Sequence, residues 1–379
     1  MTTLNIGFPI KMLFFTRIFF INSLEMGGAE RYLMNYADQS QISSSDKKIL
    51  VLLRKSDFHF SEVSDVFDEV LFLNMRSVFY LLYLLLFNPR RSVVLQSFLY
   101  RSNLVAGVLH VCSLCRQVHI IHIRSGRLDR SSSYLGIIVQ KLVVWSSHIA
   151  KTGVIYNSHV GRDFHENIGI SKHRSLVVWN GSSLDLTRQS IERLIEARIA
   201  TLDNILTLTF VGRNDPLKNF DELRKAIVLL SKEEKCPHLK VYGHRRDEYS
   251  SITPNNIHFC GVESDLSCIY NCTTHYVILT SLDEACPNVL IEAANYGLPI
   301  ITTDAGDAWI MLDKDKFRIN GFLAEDIAET IRSVMSNLDT VEYRARAIAS
   351  WKRGRRFAMS RNVNDTDKWI RGEFFERKE

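Results

Sequence analysis

No apolar run in this 379-residue chain is long enough to cross a bilayer. The longest, residues 78–87, is about half the roughly 20 residues a spanning helix needs. Being apolar on every side, it suits a buried helix or one laid against a membrane surface. A secretory leader is not expected either: Arg17 interrupts the apolar segment that follows Lys11, and no small-residue cleavage site comes after it. The glycine fingerprint G-x-G-x-x-G is absent, which argues against a nicotinamide enzyme. A second Cys pair is missing beside Cys112 and Cys115, so this lone C-x-x-C does not read as a zinc site. The seven cysteines are odd in number and scattered, as expected for reduced thiols in a cytosolic compartment. Charge of one sign is also scarce: a net +5 and a pI near 8.7 do not describe a nucleic-acid binder.

The length exceeds a usual single core and implies two domains of similar size. Strand-like and helix-like segments alternate. Residues 17–23 (RIFFINS) read as a buried strand, with a helix opening at Ala29 behind Gly27-Gly28. Further strands are expected over 48–53, 92–97, 118–123, 153–157 and 176–179. Helices are expected over 78–87, about 103–114 and around 140–144. Residues 181–203 are polar, helix-capable and low in large apolar groups, and read as the connection between domains. Strands then recur at 205–211, 238–242, 257–260 and 276–279. A helix carries Phe220, Leu223, Ala226, Ile227 and Leu230 on one face, another carries Ile327, Ile331 and Val334, and the tail is helical and basic. Repeated βα units predict mostly parallel sheets covered on both faces, with ligands beyond the carboxyl ends of the strands. In the first half those ends carry Gly27, Gly28, Ser97, His122, Arg124 and Asn157. The domain boundaries expected are 1–185, 186–355 and a helical tail, 356–379, that crosses back to the first domain.

The most informative stretch is 282–307, LDEACPNVLIEAANYGLPIITTDAGD. Two carboxylates, Glu284 and Glu292, flank a helix start. Pro287 suits the first helical position because its fixed φ fits and its missing N–H is not needed there. Cys286, preceding a proline, is pushed to an extended conformation. The helix runs from about Asn288 to Tyr296, and Gly297 with Pro299 ends it. Free backbone N–H groups and the helix dipole make a pocket for an anion, with Glu292 a turn further on, within reach of a diol. A glutamate near a helix start is otherwise simply a favourable dipole partner.

Taken in order, Gly27-Gly28-Ala29-Glu30-Arg31, Asn180-Gly181, Val211-Gly212-Arg213 with Lys218, Gly261, and Glu284 with Glu292 resemble the retaining GT-B glycosyltransferases of family four. The resemblance covers nearly all of the chain from Arg17 on. Residues 1–16 fall outside it, and Met12 is an alternative start. The resemblance implies a GT-B α/β fold, two Rossmann-like doubly wound parallel-sheet domains facing across a cleft. It implies transfer of a hexose from a nucleoside-diphosphate-sugar, with retention, to a lipid-linked or oligosaccharide acceptor in surface-polysaccharide synthesis.

In that scheme Arg213 and Lys218, next to Gly212, clamp the diphosphate and stabilise its departure. Glu292 accepts the ribose hydroxyls and Glu284 holds the sugar. Backbone groups from Ala285 through Cys286, Pro287 and Asn288 to Val289 complete the donor site, and Gly27 and Gly28 allow close backbone approach. His122 is the expected donor-sugar histidine, with His119 as its competitor and a core histidine as the plain alternative for both. No metal and no cofactor are expected, and Asp313-Lys314-Asp315 reads as a solvated turn. Ala285 departs from the family's usual glycine and is strained if that position needs a positive φ. Partial membrane contact is expected from 78–87, from Arg90, Arg91, Arg124, Arg127 and Arg130, and from Lys352, Arg353, Arg355 and Arg356. A nucleotide-sugar epimerase and a catalytically silent binding subunit are the alternatives.

Overall fold

The computed structural model describes residues 15–24, 27–41, 46–55, 63–126, 134–202, 205–246, 254–312 and 317–375. Asp313–Asp315, Arg127, Arg130 and the leader up to residue 14 lie outside them.

The first half alternates β1 (Thr16–Ile21), α1 (Gly28–Gln39), β2 (Lys47–Leu52), α2 (Val63–Val66), β3 (Glu69–Phe72), α3 (Met75–Phe87), β4 (Val93–Phe98) and α4 (Tyr100–Cys112). It continues with β5 (Val118–Ile123), α5 (Tyr134–Ser147), β6 (Thr152–Tyr156), α6 (His159–Asn167) and β7 (Ser175–Val177). The strands form one seven-stranded sheet in the order β3-β2-β1-β4-β5-β6-β7, with every pairing parallel. Strands β4, β5 and β6 are buried at every position, which is why their sequences are mostly apolar rather than alternating, with Gln96, Ser97, His119 and His122 as buried polar members. Helices α3, α4 and α5 share one face of this sheet: Leu81, Leu85 and Leu109 pack on Ile18, Phe20 and Val51, and Val143 packs on Ile121 and Val154. Helix α1 packs on the other face, through Leu33 and Tyr36 onto Phe19 and Leu50.

The second half contains α7 (Arg188–Leu202), β8 (Thr207–Val211), α8 (Phe220–Leu230), β9 (His238–Tyr242), β10 (Ile257–Gly261), α9 (Leu266–Ile269), β11 (Tyr276–Leu279), α10 (Asn288–Asn295) and β12 (Ile300–Thr302). It closes with α11 (Ala308–Met311), α12 (Ala324–Ser336), α13 (Thr340–Gly354) and α14 (Met359–Phe374). Its five-stranded parallel sheet has the order β10-β9-β8-β11-β12.

Three elements differ from expectation. Residues 181–203 are not a plain connection, because α7 buries Ile191, Ile195 and Leu202 in the second core. Strand β3 escapes a sequence reading since it is four residues long and buries none of them fully. Helix α6 (HVGRDFHEN) offers almost no apolar stripe.

Helix α14 returns to the first domain, where Ile370 and Phe374 join Val94, Val118 and Ile120. A buried charge fixes it there. Arg17, at the start of β1, has no exposed surface; its guanidinium lies 3.2 Å from an Asp367 oxygen and donates to the Tyr36 hydroxyl at 2.8 Å. Tyr36, Ser40 and the Gln41 amide donate to the same carboxylate. Burying an arginine costs several kcal/mol unless it is answered this fully. The chain therefore passes between the domains twice, and the two passages are joined: the Ser182 amide donates to the Phe357 carbonyl, and the Met359 amide to the Ser182 carbonyl, both at 2.9 Å. Among the described residues no helix is long and apolar enough to cross a membrane.

Candidate functional site

The loops after β8 and β11 meet at the cleft. The Leu282 amide donates to Leu217 O at 2.8 Å and the Thr280 hydroxyl to Lys218 O at 3.0 Å, zipping the 280–284 segment to the 3-10 turn Pro216–Lys218. Asp215 caps that turn through the Leu217 amide. This arrangement brings Lys218 Nζ onto Glu284 Oε1, and Ser281 donates to the same oxygen at 2.9 Å. Arg213 extends from the first of these loops into solvent and makes no ion pair among the described residues. Gly212, just before Arg213, donates its amide to Tyr242 O.

Backbone crowding positions Glu284. Gly306, at φ +60°, lies so close that a Cβ there would sit 2.2 Å from Glu284 O, and a Cβ on Gly126 of the first domain would sit 2.6 Å from the same oxygen. Ala285 keeps a negative φ, so the strain that its replacement of glycine raised does not arise. Pro287 is the N-cap rather than the first helical residue of α10, and no side chain caps that helix. The Leu290 amide donates to Pro287 O at 3.1 Å, so the N–H groups of Asn288 and Val289 are the ones left to an external acceptor. Cys286 is buried, its thiol accepts the Asn180 amide, and burial first of all pushes its pKa up to about 12, so it stays protonated and is no nucleophile.

Opposite α10 stands the start of α1. Gly27 is the N-cap of α1 in extended backbone, and a Cβ on Gly28 would come to 3.0 Å from the side-chain nitrogen Nδ2 of Asn288. Between them opens a cavity of about 410 Å³ lined by Gly28, Arg31, Tyr32, Asn180, Asn288 and Glu292. Val289 packs into the core beneath α10. Glu292 is half-buried and accepts the Tyr270 hydroxyl at 2.9 Å. Burial raises its pKa, opposed by that hydroxyl and by the positive charge of Arg31.

The expected histidine does not reach this cavity. His122 precedes the last residue of β5, is fully buried, stacks on Phe98 with ring centroids 4.1 Å apart and bonds Gln96 Oε1 at 3.0 Å. Burial, and then Arg124, Arg17 and His119, hold its pKa well below the usual value, leaving the ring neutral. His119 is equally buried, on Ser97. Arg124 does reach the cleft, but turned inward: its guanidinium lies 3.3 Å from the Tyr32 ring centroid and donates to Asn180 Oδ1 at 2.7 Å. It is therefore not a membrane-facing charge. Asn157 supports it through the Arg124 carbonyl.

Two residues that tie the domains together carried no sequence signal beyond their motifs. Asn180 donates to Asn288 Oδ1 at 2.6 Å and Cys286 O at 3.2 Å while accepting from Arg124. Asp307, fully buried, accepts from the His159 amide at 2.7 Å, the Val160 amide at 3.0 Å and the Trp179 indole at 2.7 Å. It thus caps α6 from the other domain. The available hint was that α6 has no acid in its own first turn. Among the described residues no group of three or more His, Cys, Asp or Glu side chains is gathered to hold a metal.

Comparison with known proteins places this geometry. Residues 206–338 match the family model of glycosyl transferases group 1. Anabaena Alr3699/HepE, solved in complex with UDP-glucose, is 16% identical; the alignment covers 93% of this chain and 98% of that one, with a TM-score of 0.70. The apo lipopolysaccharide outer core galactosyltransferase WaaB is 14% identical, with 95% and 99% covered and a TM-score of 0.67. An uncharacterized 41.2 kDa protein from the cps region of Klebsiella pneumoniae is 26% identical over 153 residues, which span 40% of this chain and 42% of that relative. The fold is GT-B, and the match over the second domain supports a transferase.

Proposed function

We propose that this chain is a retaining glycosyltransferase that moves a hexose from a nucleoside-diphosphate-sugar to a lipid-linked glycan acceptor in surface-polysaccharide synthesis, working at the inner face of the plasma membrane. The observation that carries the reading is the grouping around α10: an uncapped helix N-terminus, Glu292 a turn beyond, and the Lys218–Glu284 pair beside it, all facing the cleft. A diphosphate finds N–H donors at α10 and cations at Arg213 and Lys218. Glu292, with one oxygen held by Tyr270, offers the other to a ribose diol. Glu284 passes from Lys218 to the sugar hydroxyls as Lys218 turns to the phosphates. The same cations then stabilise negative charge on the departing diphosphate. The UDP-glucose bound by HepE and the galactosyl transfer named for WaaB agree with such a donor, and the cps-region relative with such a pathway.

The test incubates purified protein with a panel of nucleotide-sugars and follows nucleotide release with and without a membrane lipid extract. Release that depends on lipid, and that persists in a chelator, is expected. Conversion of the nucleotide-sugar without acceptor would indicate an epimerase instead, and binding without turnover a silent subunit. Lys218→Ala and Glu292→Ala should each lower transfer by roughly a hundredfold or more, the scale of losing one preorganised charge contact, with unchanged circular dichroism. Full activity in either variant overturns the assignment.

A further inference from the structure

We infer that the outer face of α3, α4 and α5 is a docking surface for an anionic lipid bilayer. This deepens the membrane part of the proposed function, which it assumes.

The face begins with α3. Leu81 and Leu85 bury one side of that helix against the sheet, yet Met75, Phe79, Tyr83 and Phe87, spaced four apart, each remain 59% exposed or more. Such spacing puts them on one stripe about 18 Å long. On α5 the aromatic and aliphatic side chains of Leu135 and Trp145 are likewise about 60% exposed, and Leu114 beyond α4 is 79% exposed. The three helices lie side by side on one face of the sheet. Scattered apolar side chains need no explanation, but a run of them across adjacent helices marks a contact surface.

Charge decides what it contacts. None of the three helices contains an acidic residue, and residues 75–126 and 134–162 carry nine Lys and Arg with no Asp or Glu; of the nine, Arg124 is turned inward and Arg162 pairs with Asp163, which leaves seven for this face. Four of these cations gather at the far ends of the helices. The Arg91 amide donates to Arg116 O, and the Lys151 ammonium donates to Cys115 O and Arg116 O; burial first, then the charges of Arg91 and Arg90, disfavour the charged form of Lys151. None of the four pairs with a carboxylate among the described residues. A second copy of this chain would set the same patch against itself, bringing like charges together with no acid to answer them. A bilayer bearing anionic headgroups supplies the missing charge, and its interface accommodates Tyr, Trp and Phe beside Arg and Lys. The helix starts lie at the cleft end of the sheet, so the face runs up to the rim where an acceptor would enter.

Co-sedimentation of the full chain with vesicles of phosphatidylcholine, and of phosphatidylcholine mixed with phosphatidylglycerol, tests this. Binding is expected only to the mixed vesicles and is expected to weaken with salt. A basic residue near an anionic surface is worth about fivefold in partition, so Arg90→Glu with Arg91→Glu should lower binding by roughly 25-fold or more. Phe79→Ser with Phe87→Ser should abolish it while leaving the thermal midpoint unchanged, since both side chains are already exposed. Binding to neither vesicle, or undiminished binding by both variants, overturns the inference. So does a concentration-dependent dimer in sedimentation velocity that the Phe79→Ser, Phe87→Ser variant dissolves. Nucleotide-sugar binding is read separately by thermal shift: a chain that binds vesicles and no nucleotide-sugar sinks the donor assignment alone.

Discussion

Glu292 is a carboxylate placed where a carboxylate is costly. Burial raises its pKa, so the folded protein holds the proton more tightly than the unfolded chain does. The sign follows from linkage: its contribution to stability is present below the ordinary carboxylate value and is lost as pH rises through the raised one. Glu292→Gln keeps an oxygen for the Tyr270 hydroxyl and removes the charge. Its thermal midpoint should exceed that of the parent near pH 8 and converge on it near pH 4, while nucleotide-sugar affinity falls. Equal midpoints at both ends would mean that the carboxylate is well solvated. Such a trade of stability for function is common at binding sites. The two glutamates and Lys218 could be read from sequence because each stands in a local pattern of loop, helix start and glycine. The uses of Asn180 and Asp307 could not, since their partners in the other domain lie more than 100 residues away in the chain. His122 takes the core alternative for a different reason. Strand β5 runs one residue past it, so its side chain alternates into the core and Arg124 takes the rim.

Among the elements, α14 is expected to cross back to the first domain, but what fastens it there is not written in its own sequence. Its apolar residues announce an amphipathic helix, but not that Asp367 would neutralise an arginine 350 residues earlier. Removing one partner of a buried pair leaves the other uncompensated, so Asp367→Ala should cost about 3–5 kcal/mol in denaturant unfolding. A loss below about 1 kcal/mol would show that water or Asp46 answers Arg17 instead. The βα alternation itself was legible because buried parallel strands leave unmistakable apolar runs. Strand β3 and helix α6 were not, being short or polar and held by their neighbours rather than by a stripe of their own.

For the molecule as a whole, the contact between domains depends on Asp307. Asp307→Ala strips an acceptor from two helix amides and an indole, each costly to leave unpaired, which should weaken the closed arrangement by about 2–4 kcal/mol. Small-angle scattering should then record a larger radius of gyration for the variant than for the parent, and added nucleotide-sugar should reduce it. An unchanged radius would mean that Asn180 and Arg124 hold the domains without it.

The double passage between the domains has a mechanical consequence. A single tether would leave one body free to swivel, tilt and twist against the other. Here two tethers lie side by side and are stitched through Ser182 to Phe357 and Met359, so twisting would shear those hydrogen bonds whereas folding about the line through them would not. The joint behaves like a door on two knuckles, with one easy degree of freedom. Each return swing brings Glu284, with Lys218 on it, back to the same place against Gly126.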